Sequence, residues 1–298
     1  MHVLVTGASG LIGSALVPLL TAEGHRVTRL VRTTPAPGEA AIPWDPMAGR
    51  LEAARLEGID AVVHLAGENI ATGRWTPAKK ARIRDSRVRG TRLLCETLAQ
   101  LQHPPQVLVS ASAIGYYGNR GDTVLHEDSP PGEDFLAQVC RDWEAATAPA
   151  AQRGVRVVRL RIGVVLSATG GALAKMLLPF RLGLGGVVGS GRQYISWIAI
   201  DDIVGVILYC LGNEAMEGPV NAVAPQAVTN AEFTRTLGRV LRRPTLFPLP
   251  AFVARLLFGE MAEALLLAST RVQPARLQTA GYRFLYPELE GALRHLLG

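Results

Sequence analysis

A chain of 298 residues, 48% hydrophobic and 19% charged, is long enough for one large α/β unit or two lobes around a shared core, and it carries no low-complexity tract or internal repeat. Its three cysteines (Cys95, Cys140, Cys210) lie far apart and its six histidines form no HxxxH pair. That excludes a disulfide framework or zinc site as the expectation and suits a reduced, cytoplasmic compartment with no metal.

The first element expected is a strand, "MHVLVT", apolar and β-branched as a buried parallel strand requires. The stretch from Val3 to Ala22 has no charge, but Thr6, Ser9, Ser14, Pro18 and three glycines make it a poor signal or anchor, so no membrane partner is expected. A glycine turn, "TGASGLIG", leads into a helix that stops near Gly24, and a second strand, "RVTRLVR", follows. This is the order that a dinucleotide site demands. Gly7 permits the tight turn, Gly10 admits the diphosphate, and Gly13 allows the helix to pack closely. The N–H groups of Leu11, Ile12 and Gly13 open the helix, where its dipole favours phosphate.

"DAVVHLAG" reads as the fourth strand, ending in Leu65, Ala66 and Gly67. The next helix holds the basic run "RIRDSRVRGTR". Its arginines spread over several faces with no aromatic interleaved, so a solvated helix and no nucleic-acid partner are expected, despite the net charge of +6.

The Gly7-x-x-Gly10-x-x-Gly13 spacing, with "RVRGT", "LVSASAIGYYG" and "SWIAIDDIVGVIL" further on, resembles the extended short-chain dehydrogenase/reductase superfamily. "HLAGENI", "GYYG", "RDWE", "LLPFRLGLGG", "GSGRQYISWI" and "VAPQAVTNAEF" narrow the resemblance to an atypical NAD(P)-dependent epimerase-like family with an extra C-terminal helical domain. The resemblance implies an NAD(P)-binding Rossmann fold: a doubly wound parallel sheet with a smaller C-terminal α/β lobe. It places the dinucleotide domain at residues 1–165, its sheet completed from 195–225, and the substrate lobe at 166–298. Residues 247–298 form the family-specific helical part, whose apolar faces need cover from the main lobe or from a second copy in a homodimer.

The cofactor is read from charge. A carboxylate at the end of the second strand would select NAD, but there is no Asp or Glu from Arg26 to Gly38, and Arg32 stands at the strand exit. A guanidinium there grips a 2′-phosphate, so NADP(H) is expected. Arg29 lies on the opposite face by period-two alternation. The resemblance implies that the strand end at Leu65, Ala66 and Gly67 lines the cofactor, with Leu65 and Ala66 under its adenosine. By resemblance, Arg87 takes the place of an asparagine near the cofactor, with Arg82 a weaker partner, and Val165 packs at the nicotinamide end.

The catalytic Tyr-x-x-x-Lys pair of the superfamily is missing: the three lysines, Lys79, Lys80 and Lys175, are preceded at four residues by Trp75, Thr76 and Gly171. Aligned on Glu144, the two positions hold Leu136 and Cys140. Ser112 resembles the superfamily's active-site serine, and Tyr116 or Tyr117 is left as a substitute acid, aided by Arg161 if that residue depresses the phenol pKa. His126, Glu127 and Asp128 read as a solvated loop. Arg192, Gln193, Trp197 and Asn221 are expected to line an interlobe cleft for a polar small molecule. A helix capped by an asparagine is expected at Asn230. Two functions follow: an NADP-dependent oxidoreductase or epimerase-like enzyme, and a non-catalytic NADP(H) sensor.

Overall fold

The computed structural model describes residues 1–298. In chain order the first half comprises β1 (His2–Thr6), α1 (Leu11–Ala22), β2 (Arg26–Val31), β3 (Ala41–Pro43), β4 (Ala61–His64), α2 (Pro77–Ala99), β5 (Val107–Ala113), β6 (Val124–Leu125), α3 (Phe135–Ala145), α4 (Ala148–Gln152) and β7 (Arg156–Ile162). The second half comprises β8 (Val164–Leu166), α5 (Gly171–Arg181), β9 (Tyr194–Ile195), β10 (Trp197–Ala199), α6 (Ile200–Gly212), β11 (Gly218–Ala222), β12 (Val228–Thr229), α7 (Asn230–Leu241), α8 (Ala251–Phe258), α9 (Glu260–Ala262) and a π-helical turn (Glu263–Leu267). It ends with β13 (Arg271–Val272), α10 (Ala275–Thr279) and α11 (Leu289–Leu297).

Seven strands form one parallel sheet in the order β3-β2-β1-β4-β5-β7-β11. Both faces are buried, which is why β1 is apolar throughout: Val3 and Val5 enter one core and Leu4 the other. The chain runs outward from β1 through β2 and β3, then crosses to β4 on the other side. That reversal opens a crevice beyond the C-terminal ends of β1 and β4, where open α/β sheets bind ligands.

The segment after β7 does not fold apart from the sheet. β11 joins its edge, α6 packs on α1, and Tyr282 and Phe284 pack against the same core as Val3 and Val5. A third core, with Trp197, Phe233 and Leu293, joins β10, α7 and α11. The helix expected at Asn230 is capped one residue earlier: Thr229 and Glu232 form a capping box, while Asn230 Oδ1 accepts from the Val188 N–H at 2.8 Å. A hydroxyl with a glutamate three residues on closes two orphan N–H groups at once, and this frees the asparagine to tie down a neighbouring loop. No helix is long and apolar enough to cross a membrane.

Candidate functional site

The glycine turn has little room for side chains. Gly7 has φ +67°, and a Cβ there would lie 2.8 Å from the Leu65 carbonyl. A Cβ on Gly13 would lie 2.2 Å from the Gly7 carbonyl oxygen, so its close approach is to the turn itself rather than to a strand. Gly10 is different: its Cβ would meet only Gly7 O at 3.2 Å, and the rest is open space. Gly10 also caps α1 without a side-chain hydrogen bond, and the first turn has no acidic residue. The first bonds of the turn are Gly10 N–H to Gly7 O and Ser14 N–H to Gly10 O, which leaves the N–H groups of Leu11, Ile12 and Gly13 free. That cradle fits a dinucleotide diphosphate. The Leu11 side chain is turned away from it, packed against Gly170 and Gly171 of the segment after β8, on which Val165 pairs with Ile198.

Beside the turn, Thr6 Oγ1 accepts from the Leu65 and Ala66 N–H groups at 3.1 Å each, and bonds His64 Nδ1 at 2.7 Å. His64 Nε2 reaches Thr91 Oγ1 at 2.9 Å, and complete burial pushes the His64 pKa down to about 4. A neutral imidazole thus sets the end of β4. Gly67 leaves room for Arg87, since a Cβ there would lie 3.2 Å from the guanidinium. Arg87 donates to the carbonyls of Glu68 and Ile83 at 3.0 and 3.1 Å and stacks over Trp143 at 5.0 Å; burial lowers its pKa. A poorly solvated cation there is suited to an anionic ligand.

The outer edge of the crevice is basic. Glu68 is bound by buried Lys79 at 2.7 Å and approached by Arg82 at 3.8 Å. The Lys79 hydrogen bond chiefly holds its carboxyl below the usual range, with the charges of Lys79, Arg82 and Arg32 adding to the effect. Arg32, from the end of β2, and Arg82, from α2, therefore converge on one place. Arg29 is directed elsewhere, to Glu39 at 2.6 Å. Lys79 escaped the sequence reading; a lysine at a helix start carries no local sign that it will be buried.

At the end of β5, Ser112 Oγ donates to Glu144 Oε1 at 2.7 Å, and Glu144 takes a two-pronged grip from Arg161 at 2.8 and 3.0 Å. All three are buried. Burial works against the Arg161 charge, but Glu144 and Tyr117 carry its pKa above the ordinary value. Arg161 also donates to Tyr117 Oη at 3.0 Å, and Tyr117 donates to Asn221 Oδ1 at 2.6 Å. Arg161 pulls the Tyr117 pKa down as the sequence reading allowed, but burial outweighs it and pushes that phenol up to about 12. Tyr117 is fully buried, its hydroxyl held between Arg161 and Asn221. Tyr116 is half-buried, its ring lies 3.4 Å from the Arg161 guanidinium carbon, and its hydroxyl makes no bond within the protein.

Leu136 and Cys140 face the same strand end, since a Cβ on Gly115 would lie 3.3 Å from Leu136 and 4.0 Å from Cys140 Sγ. Burial and Glu144 push the Cys140 thiol up to about 12, against the pull of Arg87. Glu127 is not solvated as expected: its buried Oε1 accepts from the backbone N–H groups of Asn221 and Arg276.

Three of the four residues expected in the cleft are interior. Trp197 is fully buried and donates to the Gln226 carbonyl; Gln193 donates to the carbonyls of Val188 and Leu266; Asn221 is fully buried, bonded to Tyr117 and to the Gln273 carbonyl. Arg192 is exposed, in a separate opening of about 290 Å³ with Asp122, Tyr194 and Thr229. A second opening, of about 430 Å³, lies beside α1 between Leu11, Ser167, Asp201 and His295.

Comparison with known proteins places these features among relatives. A profile described as the NAD dependent epimerase/dehydratase family matches residues 3–223, and one for a domain of unknown function (DUF1731) matches residues 249–296. The chain is 46% identical to epimerase family protein Mb2239 of Mycobacterium bovis over 291 residues, 98% of this chain and 96% of that protein. It is 42% identical to the human epimerase family protein SDR39U1, covering 100% of each. The crystal structure of the human protein (isoform 2) with NADPH superposes with a TM-score of 0.91 at 39% identity, over 99% of each chain.

Proposed function

The chain belongs to the NAD dependent epimerase/dehydratase family, and on that premise we propose that it is an NADPH-dependent oxidoreductase working at the C-terminal ends of β1, β4 and β5. The observation that carries this reading is the pairing of a side-chain-free helix start with two guanidinium groups at the outer edge of the crevice. The human relative, crystallised with NADPH, supports the same cofactor here. We also take residues 1–165 with β11 as the cofactor-binding unit, and the remainder as the part that covers the substrate.

The N–H groups of Leu11, Ile12 and Gly13 bind the diphosphate, and Gly10 keeps the approach open. Arg32 and Arg82 take the 2′-phosphate, with Lys79 cancelling the repulsion of Glu68. Leu65 and Ala66 support the adenosine, Arg87 the ribose and diphosphate, and Val165 the nicotinamide. NADPH bound there supplies a hydride to an electrophilic carbon of the substrate. Ser112 has committed its hydrogen to Glu144, so its Oγ is left as an acceptor and orients the reacting group. Tyr116, the phenol without a protein partner, delivers the proton to the developing alkoxide.

A second reading, a non-catalytic NADPH sensor, is favoured by the apolar Leu136 and the neutral Cys140 at the strand end, where neither can move a proton. Turnover separates the two. NADPH oxidation across aldehydes, quinones and keto-sugars is expected to be slow but real, to drop about 10²-fold or more in Tyr116→Phe, and to survive Cys140→Ala and Tyr117→Phe. No oxidation with any substrate class, despite tight NADPH binding, would leave the sensor. Fast turnover that survives Tyr116→Phe would place the proton donor elsewhere.

A further inference from the structure

Outward from Leu136, the wall of the crevice is apolar. Trp75, Ile83 and Met261 are buried together, from the segment after β4, from α2 and from α9; Phe135, Leu136 and Leu265 pack against them while keeping part of their surface in solvent. Leu265 projects from the π-helical turn, a distortion that recurs at functional sites. The charges along this wall are already matched: Lys80 with Glu260, Arg84 with Asp142, Arg255 with Glu263. Glu133, exposed at the entrance to α3 and without a salt-bridge partner, is negative. Along this part of the wall a phosphorylated ligand meets cations that carboxylates already neutralise and one repelling carboxylate.

The approach to this wall presents large apolar side chains beside two cations, Lys175 and Arg74, whose hydrogen bonds go to backbone carbonyls. Lys175 on α5 donates to the Ala71 carbonyl at 2.9 Å, and Arg74 donates to the carbonyls of Leu256 and Leu257 on α8. Both helices therefore touch one short segment, and four extended residues span at most about 14 Å. On α5, Leu178 and Leu182 stand three and seven residues beyond Lys175, on the same face, 68% and 64% exposed. On α8, Phe252 and Leu256 stand four apart, 69% and 71% exposed. Exposed apolar pairs on two helices tied to the same short segment are the kind of surface that can admit an apolar ligand.

We propose that the substrate is an uncharged apolar carbonyl compound, an aromatic or long-chain aldehyde or a quinone, which enters between α5 and α8 and seats against Phe135, Leu136 and Leu265. This replaces the polar molecule expected from the sequence and rests on the NADPH reading above. The carbonyl takes a hydride from NADPH on carbon (or, for a quinone, within the ring system) and a proton on oxygen, giving the alcohol or hydroquinone and NADP⁺.

The test titrates 1-naphthaldehyde and, separately, UDP-glucose into protein saturated with NADP⁺, which has no hydride to give, followed by calorimetry. Naphthaldehyde is expected to bind and UDP-glucose to give no heat. Leu265→Asp should weaken naphthaldehyde about tenfold or more, the scale of one lost apolar side-chain contact, with NADPH affinity unchanged. Leu178→Glu, fully tolerable at an exposed position, should slow naphthaldehyde association in stopped flow. UDP-glucose binding without naphthaldehyde binding overturns the proposal, as does naphthaldehyde affinity and association indifferent to both substitutions. If NADPH itself fails to bind, the cofactor reading falls, and the same titrations on free protein decide the apolar site by themselves.

Discussion

Glu144 and Arg161, seventeen residues apart in sequence, meet in the interior with two hydrogen bonds of 2.8 and 3.0 Å, and Ser112 completes the carboxylate's coordination. The pair locks α3 to β5 and β7 at the floor of the crevice. A lone buried charge is far more costly than a buried pair, because burial removes hydration that only the partner replaces.

Glu144→Gln should therefore destabilise the fold by about 3–5 kcal/mol, the cost of breaking a buried ion pair. Glu144→Leu combined with Arg161→Met should cost less than the two single changes added together. Urea unfolding of wild type, Glu144→Gln, the two other single variants and the double variant checks this. A loss under about 1 kcal/mol in Glu144→Gln would mean that Arg161 is held by Tyr117 and the Glu127 carbonyl without need of the carboxylate.

The glycines of the turn should separate by what surrounds them. Gly10→Val adds atoms where only Gly7 O is near, so the thermal midpoint of the free protein should barely move while stabilisation by NADPH disappears. Gly13→Ala drives a Cβ toward Gly7 O at 2.2 Å, so it should lower the midpoint of the free protein as well. Retained NADPH stabilisation in Gly10→Val would show that the dinucleotide does not lie on this turn.

His64 predicts a pH dependence. Its pKa falls from 6.5 in the unfolded chain to about 4 in the fold, through burial. Between these values the unfolded state binds the extra proton, so stability rises with pH across that window. The contribution is complete above about pH 6.5 and is lost as pH falls toward 4, at about 1.4 kcal/mol per unit near mid-window. The difference in urea midpoint between wild type and His64→Gln, measured from pH 4 to 8, should slope in that window and be flat above it. A flat difference throughout would mean that the imidazole keeps its ordinary pKa in the fold, as a solvated one does.

What was legible in the sequence was local. Gly7, Gly10 and Gly13 reveal a strand, turn and helix because each acts on backbone within a few residues, and Arg32 declares itself by standing where a strand ends. The Ser112, Glu144 and Arg161 cluster was not legible as a unit, since three elements converge on it only after the sheet is assembled. Trp197, Gln193 and Asn221 carry polar groups that suit a cleft, yet tertiary packing gave those groups backbone and side-chain partners inside. Tyr116 and Tyr117, adjacent in sequence, part company for the same reason: one phenol meets Asn221 in the core and the other meets solvent.

The central claim, that NADPH lies on the glycine turn with its 2′-phosphate at Arg32, is tested most directly by calorimetric titration of NADPH and NADH into wild type and Arg32→Glu. Charge-assisted hydrogen bonds to a guanidinium contribute about 1.5–3 kcal/mol, so wild type should bind NADPH at least about tenfold more tightly than NADH. The substitution should reverse that order, by removing a phosphate partner and adding a carboxylate for the ribose hydroxyls. Equal affinities in wild type, or an NADPH preference that survives Arg32→Glu undiminished, would contradict the account.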